Sequence, residues 1–137
     1  MDEIVNYRAL SEAEKDPLLN QLKTVGFFPA YGGIKSMKRE MEQSTDGTLP
    51  QYVFVRRNGQ LIGYMFLIAE AEKSSKVFPW WAVDNADELP LETDINLLQY
   101  GVTLCQKAGC LKLADRIRSQ IERHAQGIGR RSESLRR

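Results

Sequence analysis

With 137 residues, 42% of them hydrophobic, the chain is long enough to bury a core without disulfide or metal staples, so one core is expected. Nineteen Lys and Arg against 18 Asp and Glu leave a net charge of +1, which excludes an overall field drawing the chain to nucleic acid or an anionic membrane. Two cysteines, Cys105 and Cys110, and one histidine, His124, exclude a disulfide framework and a four-ligand zinc site within one chain; no metal is expected. They point to a reducing, cytoplasmic setting. No apolar run approaches the ~18 residues of a membrane span, and the start MDEIVNYRAL lacks the basic and apolar stretches of a signal peptide.

From the amino terminus, Ile4 to Leu10 is short and partly alternating, which predicts an edge strand. Asp16-Pro17 supplies an N-cap and a first-turn proline, and Leu18, Leu19, Leu22 and Val25 share one helical face before Gly26, so a helix is predicted over 17–25. The loop FFPAYGG, Phe27 to Gly33, breaks regular structure. Ile34, Met37 and Met41 at helical spacing predict a second amphipathic helix, its outer face charged by Lys35, Lys38, Arg39, Glu40 and Glu42.

The strongest local signal is Tyr52–Ala69, in which two apolar runs meet at Asn58-Gly59. Both residues tolerate the positive φ of a type I′ turn, so this is a β-hairpin. Apolar side chains on both faces of its strands imply that both sides are covered. VFPWWAV, Val77 to Val83, reads as a third strand after a polar stretch. Ile95, Leu98, Val102, Cys105 and Ala108 then mark one face of a long helix over 91–108, ended by Gly109. Cys110 to Leu113 reads as a short strand at most, followed by a last helix to about Ala125. Residues 127–137, GIGRRSESLRR, read as a basic, disordered tail after a single α+β domain over 1–126.

This order, with LIGYMFLIA after a polar turn and LLQYGVTLCQKAGCLKL near the end, resembles the GNAT superfamily of N-acetyltransferases over roughly residues 4–121. The resemblance implies a mostly antiparallel central sheet with helices on its faces. It implies acetyl-CoA as cofactor, and a cleft between splayed strands that depends here on the Cys110 to Leu113 piece. Members of that superfamily hold the pyrophosphate on an Arg/Gln-x-x-Gly-x-Gly/Ala loop before the long helix, where glycines and a helix N-terminus bring backbone N–H groups to the phosphates. The corresponding segment here, AVDNADELPLETDIN, has no glycine and no basic residue, and Asp84, Asp87, Glu88, Glu92 and Asp94 would repel an anion. Gly127-x-Gly129 imitates the loop, but it follows a helix and reads as a C-cap.

Among single residues, Trp80 and Trp81 are adjacent, so in a strand they point to opposite faces and one is a candidate for a partner surface. Phe28 and Tyr31 of the FFPAYGG loop join them as candidates. Cys105 reads as a core hydrophobe, Cys110 has no base near it in sequence, and His124 reads as a structural residue at a helix C-terminus. Tyr100 matches a helix tyrosine common in the resembled superfamily. No catalytic or cofactor-binding residue is assigned. The expectation is a non-catalytic binding or regulatory protein on a degenerate acetyltransferase-like scaffold, with a protein partner and no cofactor. The alternative is an acyl-CoA-dependent N-acetyltransferase with an atypical cofactor site; nucleic-acid binding through the arginine tail is the least favoured reading.

Overall fold

The structure, a computed structural model, describes residues 2–23, 34–69, 77–82 and 90–127. It is an α+β fold. Strand β1 (Asp2–Asn6) is followed by one 3-10 turn (Tyr7–Ala9), helices α1 (Glu12–Lys23) and α2 (Ile34–Met41), strands β2 (Gln51–Arg57), β3 (Gln60–Ala69) and β4 (Val77–Ala82), and helices α3 (Leu91–Lys107) and α4 (Leu111–Ala125). Among the described residues the strands form one antiparallel sheet in the order β1-β2-β3-β4, with β1 at an edge as expected.

The hairpin closes as its dipeptide requires, with φ of +53° at Asn58 and +78° at Gly59. Pairing of Tyr52 with Phe66, Val53 with Met65 and Phe54 with Tyr64 sets the register, and strand alternation then splits the side chains between two cores. Tyr52, Phe54, Tyr64 and Phe66 pack against Leu18, Leu19 and Leu22 of α1 and Met37 and Met41 of α2. Phe66 meets the Tyr52 ring edge-on at 5.0 Å and the Phe54 ring at 5.7 Å. On the opposite face Val53, Val55, Met65 and Leu67 pack against Leu97, Leu98, Val102 and Cys105 of α3 and Leu113, Ala114 and Ile117 of α4. Full burial of each large side chain contributes roughly 1.5–3 kcal/mol. Gly101 of α3 is buried against Met65 of β3; a Cβ there would lie 2.7 Å from Met65 Sδ.

Three boundaries differ from the sequence reading. β1 stops at Asn6 rather than Leu10, because the Asn6 side chain accepts the Arg8 N–H at 2.9 Å and caps the 3-10 turn. Helix α1 begins at Glu12 and carries Pro17 inside it; the start is set by Ser11, whose carbonyl accepts from Glu14 and Lys15 while the Glu14 carboxylate reaches back to the Ser11 N–H at 2.9 Å. Asp16 is therefore no cap, and it meets Lys38 at 2.7 Å instead. Cys110 to Leu113 is not a strand. Gly109, at φ +76°, places the Cys110 N–H on the Cys105 carbonyl and its own N–H on the Gln106 carbonyl, a Schellman turn that ends α3. Cys110 then caps α4, its carbonyl accepting from Ala114 at 3.1 Å. Gly127, at φ +81°, follows the end of α4 as a C-cap glycine.

A polar pocket at the end of the first strand

Asn6 is the last residue of β1 and Gln51 the first of β2, and both are buried although polar. A buried amide is tolerated where its donors and acceptors are met. Gln51 Nε2 donates to the carbonyls of Thr45 and Thr48 at 2.7 and 2.8 Å, which fixes Oε1 toward Asn6. Asn6 Nδ2 donates to that oxygen at 2.8 Å and to the Tyr100 hydroxyl of α3 at 3.3 Å, while Asn6 Oδ1 takes the Arg8 N–H. One asparagine thus ties together β1, β2, α3 and the 3-10 turn.

These residues form the floor of a cavity of about 250 Å³, walled by Ala9 and Leu104 and rimmed by Arg8, Asp46 and Lys107. At the rim Lys107 Nζ lies 3.1 Å from Asp46 Oδ1, and Arg8 Nη1 lies 3.8 Å from the same oxygen. The Lys107 hydrogen bond holds the Asp46 carboxyl below the usual carboxylate range. Two cations share one carboxylate, so the rim carries one surplus positive charge. Nothing in the local sequence marks Asn6, Arg8, Gln51 or Lys107, which come from separated segments; only Tyr100 carried a sequence signal.

A second polar cluster lies where α1 meets α2. Lys15 Nζ contacts Glu12 at 2.8 Å and Glu42 at 3.1 Å and sits 4.8 Å over the Tyr7 ring, and Tyr7 donates to Glu42 at 2.5 Å. Burial first, and then the Glu42 carboxylate, push the Tyr7 phenol far above its ordinary range, so it stays a donor. The cluster joins the 3-10 turn, α1 and the end of α2.

Of the residues singled out by sequence, Phe28 and Tyr31 lie outside the described residues. The backbones of Trp80 and Trp81 pair with Phe66 and Met65 in β4, and their side chains also lie outside what is described. Cys105 is a buried core residue whose thiol burial pushes up to about 12, and burial raises Cys110 as well. Neither is an activated nucleophile. His124 is 2% exposed, with Nδ1 2.9 Å from Asp94 Oδ2. That contact corrects one point: Asp94 does not stand at an anion-repelling entrance but is buried against α4, while Glu92 is exposed. Asp84, Asp87 and Glu88 lie outside the described residues. Among the described residues no group of three or more His, Cys, Asp or Glu could hold a metal ion, and no helix is long and apolar enough to cross a membrane. Comparison with family models, with curated proteins and with solved structures finds no match.

Proposed function

We propose that this chain is a non-catalytic binding or regulatory protein on a degenerate acetyltransferase-like scaffold, acting through a protein surface. The observation that carries the reading is the course of the chain after α3. In the resembled superfamily a fifth strand follows the long helix, and its splaying opens the cofactor cleft. Here the same residues form a Schellman turn and the first turn of α4, and Leu113, Ala114 and Ile117 pack into the core beside α3. A helix in that place spends its apolar side on the sheet and offers no strand edge along a cleft. The order up to that point, a strand, two helices, a three-strand antiparallel meander and a long helix, supports the scaffold half of the proposal. Trp80, Trp81, Phe28 and Tyr31 are the proposed contact residues, because aromatic residues are enriched at protein interfaces and Trp and Tyr at their hot spots.

Thermal unfolding with acetyl-CoA and with CoA tests this. A ligand at a hundred times its dissociation constant stabilises the native state by about 2.7 kcal/mol, which for a chain of this size raises Tm by several degrees. The expected result is no saturable shift with either compound. A saturable rise of that size overturns the proposal in favour of an acyl-CoA-dependent N-acetyltransferase with an atypical cofactor site.

A further inference from the structure

We propose that the pocket formed by Asn6, Tyr100, Arg8 and Lys107 is a binding site for a small organic monocarboxylate. The proposal stands apart from the scaffold reading and from any protein partner.

The floor of the pocket delivers one directed donor. A phenol hydroxyl donates once and accepts on its lone pairs. Tyr100 accepts from Asn6 Nδ2, and among the described residues its own hydrogen reaches no acceptor. That hydrogen cannot point at Asn6, because Asn6 is locked by Gln51 and by the Arg8 N–H with Nδ2 donating to the hydroxyl, and Gln51 is locked in turn by two carbonyls. Four hydrogen bonds among buried or half-buried groups therefore hold a single O–H ready beside the cavity.

The rim supplies unspent cationic donors. The Arg8 guanidinium is 3.8 Å from Asp46, beyond hydrogen-bond length, so its planar fork is open to a carboxylate. Lys107 uses one of its three N–H groups on Asp46. Two positive charges against one negative charge match a ligand of charge minus one. A phosphate dianion would exceed that charge and face Asp46. The cavity, about 250 Å³, holds the volume of roughly eight waters at ~30 Å³ each, room for a ligand of about ten heavy atoms. Leu104 and Ala9 give its body an apolar wall.

The test is a titration of the full chain, followed by amide NMR at constant ionic strength, with sodium benzoate and sodium acetate, with benzamide as the neutral isostere, and with inorganic phosphate. The expected result is a saturable shift of the Asn6, Arg8, Tyr100 and Lys107 amides with benzoate or acetate, and affinity at least about tenfold weaker for benzamide and for phosphate. Arg8→Gln and Tyr100→Phe should each weaken the carboxylate by about tenfold. Arg8 is a half-exposed rim residue, so its variant keeps the fold, and the spectrum of each variant reports folding directly. Absence of saturation by both carboxylates up to about 50 mM, where even a site of millimolar affinity fills, overturns the proposal. So does benzamide or phosphate binding as tightly as the carboxylate, or an Arg8→Gln protein that titrates like the parent.

Discussion

Replacing Asn6 with aspartate alters one side-chain atom, and its cost follows from which groups donate and which accept. Asn6 Oδ1 accepts the Arg8 N–H at 2.9 Å, which a carboxylate oxygen does equally well, so the cap on the 3-10 turn survives. The other side-chain atom, Nδ2, donates to Gln51 Oε1 at 2.8 Å and to the Tyr100 hydroxyl at 3.3 Å. An oxygen in its place faces Gln51 Oε1 as acceptor against acceptor. Gln51 cannot turn its amide over, because Nε2 would leave the carbonyls of Thr45 and Thr48 and Oε1 would point at them. Tyr100 can rotate its hydrogen toward the new oxygen and recover part of the loss. A lost buried hydrogen bond together with an unmet buried acceptor costs about 3 kcal/mol, a large share of the roughly 5–15 kcal/mol that holds a domain together.

Urea unfolding followed by circular dichroism measures this. With m of about 1.5 kcal/mol/M, Asn6→Asp should lower the midpoint by about 2 M at neutral pH. The pH dependence of the difference has a definite sign. The introduced carboxyl still accepts from the Arg8 N–H and faces the rim cations Arg8 and Lys107, but it is buried with one oxygen against Gln51 Oε1; burial and that clash outweigh the rest and set its native pKa above the unfolded value of about 4. A carboxyl raised in this way carries no penalty well below the unfolded pKa, and the full penalty once pH has climbed past the native one. The gap between variant and parent should therefore shrink on acidification, as the protonated carboxyl donates to Gln51. A variant within about 0.5 kcal/mol of the parent at neutral pH, or a gap that widens in acid, refutes the donor assignment.

Lys15→Met keeps the buried stem and removes an ammonium group shared by Glu12 and Glu42 over the Tyr7 ring; with both carboxylates partly or largely exposed, the expected loss is only about 1 kcal/mol, read from the urea midpoint, and a parent-like midpoint would show that the cluster adds nothing. Gly109→Ala adds a Cβ that meets nothing within 4 Å, so the cost is the left-handed φ alone, about 1 kcal/mol or roughly 3–4 °C in Tm, and an unchanged Tm would mean that the Schellman turn relaxes. Asp2 is held low chiefly by its hydrogen bond to Arg57, and Glu42 chiefly by Tyr7. Carboxyls depressed in the native state lend stability that is complete above their unfolded pKa of about 4 and is lost as pH falls through the lower native values. The urea midpoint should accordingly be flat near neutrality and drop in acid, less steeply in Arg57→Gln; a midpoint independent of pH down to about 2 contradicts this.

Local chemistry was legible where one segment decides the outcome. Asn58-Gly59 announced the hairpin, and the doubly apolar strands announced cover on both sides of the sheet; the one core expected from length is in fact two clusters, an aromatic face under α1 and α2 and an aliphatic face under α3 and α4. Where two local signals competed, the louder one misled. Asp16-Pro17 resembled a helix start, yet the Ser11-x-x-Glu14 box five residues earlier also satisfies backbone donors, and the turn it adds places Lys15 against Glu12, Glu42 and the Tyr7 ring. Leu111 exposed and Leu113 buried fits strand alternation as well as the first turn of a helix; the Schellman bonds from Gly109 and Cys110 settle it. Non-local pairs were invisible. Asp94 in a first turn reads as a dipole partner until His124, thirty residues on, is placed against it, and Asn6 gives no hint of Gln51 or Tyr100.

The position of the pocket follows from the sheet. Asn6 and Gln51 end neighbouring strands at a corner where polar groups would ordinarily meet water, and α3 lies over that corner, so the amides satisfy one another and Tyr100. The floor is therefore held by the packing that holds the core, whereas Arg8 projects from a turn at the edge and, among the described residues, its guanidinium meets Asp46 alone, at 3.8 Å. Stability and ligand affinity should be coupled at the floor and separable at the rim. Arg8→Gln should weaken carboxylate binding about tenfold with its urea midpoint unmoved, and Asn6→Asp should lower both. If Arg8→Gln lowered the midpoint as far as Asn6→Asp does, the rim would be part of the structural network, and the charge set aside for a ligand would already be in use.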